Sequence, residues 1–228
     1  MKNHLKRIAS PRTWTIDRKG GIFTTRPKPG THKLEDGLAL GTVLRDFLGL
    51  AKTTSEVKKL LNNNQILVDG KARKDHRFIV GLFDVLTIES AKRSYRLYFD
   101  RKGRIIIKEI SVEEANLKPC QVIGKTVLAG GKVQYHLHDG KNVLTDVKAK
   151  VGDTLLLSLP KLEVKEVLPL QKGATVYLTK GKHSGDVGQF KEIIKKEAIY
   201  LVDKTEIETA KAYLFVIGKD KAMITIDN

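Results

Sequence analysis

Cysteine is almost missing from this chain: Cys120 is the single one in 228 residues. An internal disulfide is therefore excluded, as is a metal site built on several cysteines, and a reducing cytoplasmic setting is expected. Aromatic residues are also sparse, at 6%, with one tryptophan. No stretch approaches the roughly 20 apolar residues that cross a bilayer. No apolar run follows the basic residues near the start, so a secretory signal is not expected. The Gly-x-Ser-x-Gly and His-Glu-x-x-His patterns are absent. Carboxylates are scattered rather than paired in apolar surroundings, which leaves nothing for general acid–base work. Neither an enzyme, a cofactor nor a small-molecule substrate is expected.

Acidic residues are scarcest where the chain begins. Residues 1–33 hold nine lysines and arginines against one acid, Asp17. The whole chain has 42 Lys and Arg against 26 Asp and Glu, a formal charge of +16. Of this excess, +13 lies in the first 105 residues. A purely solubilising surface would interleave the two signs. Clustered cations instead fit a polyanion, because Lys and Arg at phosphates release condensed counterions. A membrane surface fits less well, since no amphipathic basic helix is present.

Periodicity divides the remainder. Residues 1–33, with Pro11, Pro27 and Pro29, follow neither a 2.0 nor a 3.6 period, and the arm they belong to is bounded at residue 41. They read as an extended arm that orders against its partner. Trp14, Ile16, Ile22 and Phe23 could pin it to a domain or stack on bases. Over 42–105, "GTVLRDFLGLA" and "TTSEVKKLLNNNQ" place apolar residues at helical spacing, with Thr54 or Ser55 as N-cap. "ILVDGKAR" then alternates around Asp69-Gly70, a hairpin signal, and further strands follow, one pair turning at 100–103. The helices would present Arg45, Lys52, Lys58 and Lys59, and the hairpin turn Lys71 and Arg73. Residues 106–170 and 171–228 read as all β, with turns at Gly130-Gly131 and Asp139-Gly140 and a closing strand at "AMITI". The chain is thus expected to be mainly β and multidomain, with a small α+β module.

Two patterns resemble catalytic or metal motifs. "QVIGKT" ends like a phosphate-binding loop, but Pro119 stands where its first glycine belongs and strand residues follow. "HLHDG" places His136 and His138 on one strand face, yet Asp139 reads as a turn residue and no further ligand cluster is apparent. No metal site is expected. Cys120, following Pro119 into a strand, reads as a small core residue.

The segment 42–105, through "LRDFL", "SEVKKLL", Asn64, Ile66, "VDGK" and "VGLFDVLTI", resembles the S-four-type RNA-binding module. "VYLTKGKHSGDVGQFKEI", with Gly181, Gly185 and Gly188, resembles a KOW motif in an SH3-like barrel, its loop lined by Lys180, Lys182 and His183 for phosphate contact with RNA. The order of arm, module, β region and KOW segment resembles the S-four-e family of small-subunit ribosomal proteins, of archaeal type. Landmarks run nearly end to end: "KNHLKRIASPRTW", "RPKPGTHKLEDGLAL", "VDGKARKD", "YRLYFDRKGR", "EEANLKPCQV", "HLHDGKNVL" and "YLFVIG". Thr31 and Ala39 stand where that family commonly has proline.

The resemblance implies a structural ribosomal protein that binds small-subunit rRNA beside neighbouring ribosomal proteins. It makes the arm an rRNA clamp. The implied contacts are Lys2, Lys6, Arg7, Arg12, Arg18, Lys19, Arg26, Lys28, His32 and Lys33 on the arm. On the module they are Arg45, Lys52, Lys58, Lys59, Lys71, Arg73 and Lys74. The alternatives are a KOW-bearing transcription-elongation factor and an RNA-modifying enzyme that carries the same module.

Overall fold

The computed structural model describes residues 3–63, 65–194, 197–202 and 205–226; Lys2 and Asn64 lie outside the described residues. Two compact units emerge, Met1–Tyr98 with Arg104–Ala115, and Phe99–Gly103 with Asn116–Asn228. No described helix is long and apolar enough to cross a membrane.

In the first unit, β1 (Leu5–Lys6) pairs antiparallel with β2 (Phe23–Thr24), so residues 5–24 form a closed loop. Trp14 and Ile16 lie inside it at 2% and 9% exposure, whereas Ile22 and Phe23 face outward. The arm is therefore not an extended tail awaiting a partner. Its two buried apolar side chains suffice to pin it, at roughly 1.5–3 kcal/mol for each large side chain removed from water. Thr13 O accepts from Ile105 N at 2.7 Å, and Trp14 Nε1 donates to Leu34 O at 3.2 Å.

Next comes β3 (Gly37–Ala39), then a helical turn, α1 (Leu40–Thr42), which widens into a π-helical turn over Val43–Phe47. Helix α2 (Thr54–Asn62) buries Val57 and Leu61, one turn apart, and leaves Lys58 and Lys59 outside. Its N-cap is Thr53 rather than Thr54 or Ser55. Thr53 Oγ1 accepts from Glu56 N at 3.2 Å, while Glu56 Oε2 accepts from Lys52 N at 2.8 Å. Glu56, three residues after the cap, closes the first turn in the manner of a capping box, its carboxylate taking the amide just before the cap.

The strands β4 (Ile66–Val68), β5 (Lys71–Ala72), β6 (Ile79–Gly81), β7 (Val85–Ile88), β8 (Arg93–Phe99) and β9 (Ile105–Ile110) follow, then the short helix α3 (Val112–Ala115). They form a sheet of order β5-β4-β7-β8-β9 and a separate β3–β6 pair. Asp69 and Gly70 both have positive φ, 52° and 72°, which matches the strand twist in a two-residue hairpin turn.

The second unit holds two antiparallel five-stranded sheets. The first contains β10 (Leu117–Val127), β11 (Val133–Leu137), β12 (Asn142–Leu144), β13 (Thr154–Ser158) and β14 (Glu163–Leu168), in the order β12-β11-β10-β13-β14. The second contains β15 (Thr175–Leu178), β16 (Val187–Ile194), β17 (Glu197–Val202), β18 (Thr205–Ala210) and β19 (Leu214–Gly218), in the order β18-β17-β16-β15-β19. Period-2 alternation fills both cores. Cys120, Val122, Tyr135, Leu137, Leu155 and Leu157 meet in one, and Val176, Leu178, Ala198, Tyr200, Leu214 and Val216 in the other. "AMITI" is not a strand: Ala222 makes one bridge to Gly218, and Ile224 is buried without a ladder. The expectation of a mainly β, multidomain chain with a small α+β module holds.

Candidate nucleic-acid interface

The arm carries its cations in two ways. Lys6, Arg12, Lys19, Arg26, Lys28 and Lys33 are exposed. Arg18 instead braces the arm, donating to Ile8 O, Ser10 O and Pro11 O at 3.0–3.1 Å. Arg7 donates to Asp17 O at 2.7 Å and stands 4.0 Å from Asp46. His32 departs from the expected phosphate contact altogether. Its side chain is 3% exposed, with Nε2 2.9 Å from Asp84 Oδ2. The same carboxylate oxygen accepts from Gly81 N at 2.9 Å. A buried imidazole held this way ties the arm to the β6–β7 turn and does not meet a phosphate.

On the module, Lys52, Lys58, Lys59, Lys71 and Lys74 are exposed. Arg45 is forked onto its neighbour Asp46, Nε to Oδ1 at 2.7 Å and Nη2 to Oδ2 at 3.0 Å, which raises its pKa. Arg73 Cζ lies over the Phe78 ring, 4.4 Å from its centroid, and Arg73 Nε is buried without a hydrogen-bond partner among the described residues. Arm and module meet at residues 75–79. Lys28 N donates to Arg77 O at 2.8 Å, Arg77 Nε to Arg26 O at 3.0 Å, and Lys28 Nζ lies 2.5 Å from Asp75 Oδ2. Burial alone would raise the Asp75 pKa; the hydrogen bonds from Lys28 and the Arg77 amide outweigh it and hold it low. His76 is shifted downward, first by burial and then by Lys58.

Arg77 is not singled out by the sequence, although it stands in the charged run "KARKDHR". Spacing gives no sign that it lies against the arm, because its partner Arg26 is 51 residues earlier.

The glycine-rich loop joining β15 to β16 is shaped differently from a bare phosphate cradle. Gly181 and Gly185 have φ of 95° and 88°, while a Cβ on Gly188 would meet Leu201 O at 2.5 Å. Gly185 also lies so close to Asp100 that a Cβ would meet its carbonyl oxygen at 2.3 Å. Ser184 is buried, and Asp186 lies between His183 Nδ1 at 3.4 Å and Arg101 Nε at 3.8 Å. Tyr177 Oη completes the clasp, accepting from Phe99 N and donating to Phe99 O at 2.8 and 2.9 Å. This loop thus grips the turn 99–103. Lys182 remains exposed, and Lys180 and His183 are half-buried.

The "HLHDG" segment also does more than turn. Asp139 is fully buried, with Lys118 Nζ at 2.9 Å and Lys141 Nζ at 3.1 Å from the same oxygen. Cys120 Sγ is 3.8 Å from that oxygen, consistent with a core thiol. The donor atoms of Cys120, His138 and Asp139 lie within 4.8 Å of one another, but two ammonium groups already balance the carboxylate. His138 Nδ1 accepts from Gln121 N at 3.3 Å, and its ring packs edge-on against Phe215. His136 bonds Thr126 and Asn142 on the sheet surface. "QVIGKT" lies within β10 and forms no loop.

This arrangement, a folded basic arm on an α+β module followed by two β sheets, has close counterparts. The small ribosomal subunit protein eS4 of Methanocella arvoryzae is 40% identical over 97% of this chain and 97% of its own. The chain belongs to the ribosomal S4e family. The eS4 of Archaeoglobus fulgidus is 42% identical over 98% of this chain and 97% of its own. The model of ribosomal family S4e matches residues 91–164, and that of the RS4NT domain residues 1–35. A crystal structure of the 30S ribosomal protein S4e from Thermoplasma acidophilum superposes with a TM-score of 0.70 at 31% identity. It covers 81% of this chain and 96% of that one. The S4e match thus spans the buried ion pair at Asp139, and the RS4NT match spans the pinned loop at Trp14.

Proposed function

We propose that this S4e-family protein is a structural constituent of the small ribosomal subunit, binding and stabilising small-subunit rRNA without a catalytic step. The observation that carries it is full-length similarity to small-subunit proteins combined with a charge excess of +13 in the first 105 residues. Exposed cations on a folded arm and a helix–hairpin module suit A-form RNA, whose backbone and shape are read more than its base edges. Lys6, Arg12, Lys19, Lys33, Lys52, Lys58, Lys59, Lys71 and Lys74 are assigned to phosphates, with Arg26, Lys28 and Arg77 forming the strap between arm and module. Arg7, Arg18 and Arg45 act mainly by shaping that surface, and Lys182 adds a cation from the glycine-rich loop. Four segments serve this role: arm 1–41, module 42–105, central β region 106–170 and KOW segment 171–228. Neighbouring small-subunit proteins complete the setting. The elongation-factor and modifying-enzyme alternatives have no support among the matched relatives, which carry ribosomal names.

Filter binding of the full chain to a small-subunit rRNA transcript across a salt series tests this. Log affinity should fall linearly with log salt. Replacing Lys6, Arg12, Lys19 and Lys33 by Gln should lessen that slope by about 0.7–0.9 for each phosphate that is no longer neutralised. A salt-independent affinity would overturn the assignment.

A further inference from the structure

A cleft of about 320 Å³ lies where the arm crosses β6. Pro27, Pro29, Leu34 and Ile79 give it apolar lining, and the polar groups of Asn3, Arg26, Lys28, His32 and Arg77 line it too. Three ties hold the arm above it. Lys28 N donates to Arg77 O at 2.8 Å, Thr31 Oγ1 to Ile79 O at 3.2 Å, and His32 is buried against Asp84. Two prolines flank Lys28, so the wall is stiff before anything binds. A purely phosphate-binding surface has no use for a preformed apolar slot, and arginine and lysine beside apolar lining match a base flanked by its phosphates, in keeping with the charge excess of the first 105 residues.

We propose that this cleft receives one unpaired nucleobase of rRNA, with Arg26 and Arg77 meeting the phosphates on either side of it. The inference rests on the rRNA-binding role proposed above. Single-stranded bases splayed from a folded RNA are read by stacking on flat or apolar surfaces while cations hold the backbone. Proline rings and the Leu34 and Ile79 side chains supply the surface here, and the charge excess of the arm supplies the complementarity.

Gly30 offers a test that leaves every cation in place. It lines the cleft with ordinary backbone angles, and a Cβ there would stand 3.3 Å from Ile79 Cγ2. Gly30→Leu should fill the slot and weaken binding of the full chain to a small-subunit rRNA transcript about tenfold, the scale of removing one stacked base. The slope of log affinity against log salt should stay unchanged. Arg77→Gln should instead lessen the slope. Ultraviolet cross-linking of wild-type protein in intact small subunits needs no variant and should attach a single nucleotide to the peptide spanning 26–34. Wild-type affinity in a folded Gly30→Leu protein, or cross-links that avoid this peptide, would overturn the base-binding cleft while steep salt dependence left the rRNA role standing. Loss of rRNA binding by the wild type itself would overturn both.

Discussion

Three single residues bear weight out of proportion to their place in the sequence. Lys118 is fully buried on Asp139, and removing it leaves the buried carboxylate with Lys141, less deeply buried, as its ammonium partner. Lys118→Met should cost about 3–5 kcal/mol in urea unfolding, whereas a surface change such as Lys182→Met should be close to neutral. Burial by itself would raise the Asp139 pKa, but Lys118, His138 and Lys141 together hold it far below the ordinary carboxylate range. A carboxyl with a depressed folded pKa stabilises the fold above its unfolded value and loses that contribution as pH falls. Stability of the wild type should therefore decline as pH drops below about 4, and Asp139→Asn, already less stable at neutral pH, should show a shallower decline. Gly185 is constrained twice, by its φ of 88° and by the Asp100 carbonyl. Gly185→Ala should cost about 1–3 kcal/mol from backbone strain alone, read as a lowered Tm.

Among the elements, the arm behaves least like its composition. Prolines, glycines and charge mark residues 1–33 as a chain unable to build a core, and by itself it has none. It borrows one, through Trp14, Ile16 and the buried His32–Asp84 contact. Deleting the arm would then strip the first unit of packing as well as charge, so failed assembly of such a truncation would not isolate RNA contact. Trp14→Ala should destabilise by about 3–5 kcal/mol, in the range of aromatic truncations in cores, while the Gln substitutions at exposed arm cations should leave the melting curve in place. Helix α2 shows the opposite case. Its apolar spacing was legible, but its cap was not: the structure caps it at Thr53 instead of Thr54 or Ser55, with Thr53 Oγ1 taking the Glu56 amide and Glu56 turning back to the Lys52 amide.

For the molecule as a whole, sedimentation through sucrose should find this chain with the small subunit, and a high-salt wash should not strip it. Many partly buried cation contacts dissociate together rather than singly, so a chain held by both arm and module should persist where a singly attached factor leaves. Recovery in light fractions alone would remove the ribosomal role.

Sequence by itself determined the charge gradient, the all-β latter half, the helix pair, the hairpin at Asp69-Gly70 and the family, because each is written in local order: spacing, turn chemistry and near-neighbour motifs. Tertiary structure alone decided which cations face outward. Arg18 and His32 look no different in sequence from Lys19 and Lys33, yet carbonyls and a carboxylate from distant positions capture them. Distance along the chain is the common reason. Arg77 against Arg26, Lys118 against Asp139 and Gly185 against Asp100 are contacts between residues 51, 21 and 85 positions apart, and no periodicity spans such gaps. The sequence could place positive charge in the first 105 residues. Only folding could commit part of it to holding the protein together and leave the rest for a partner.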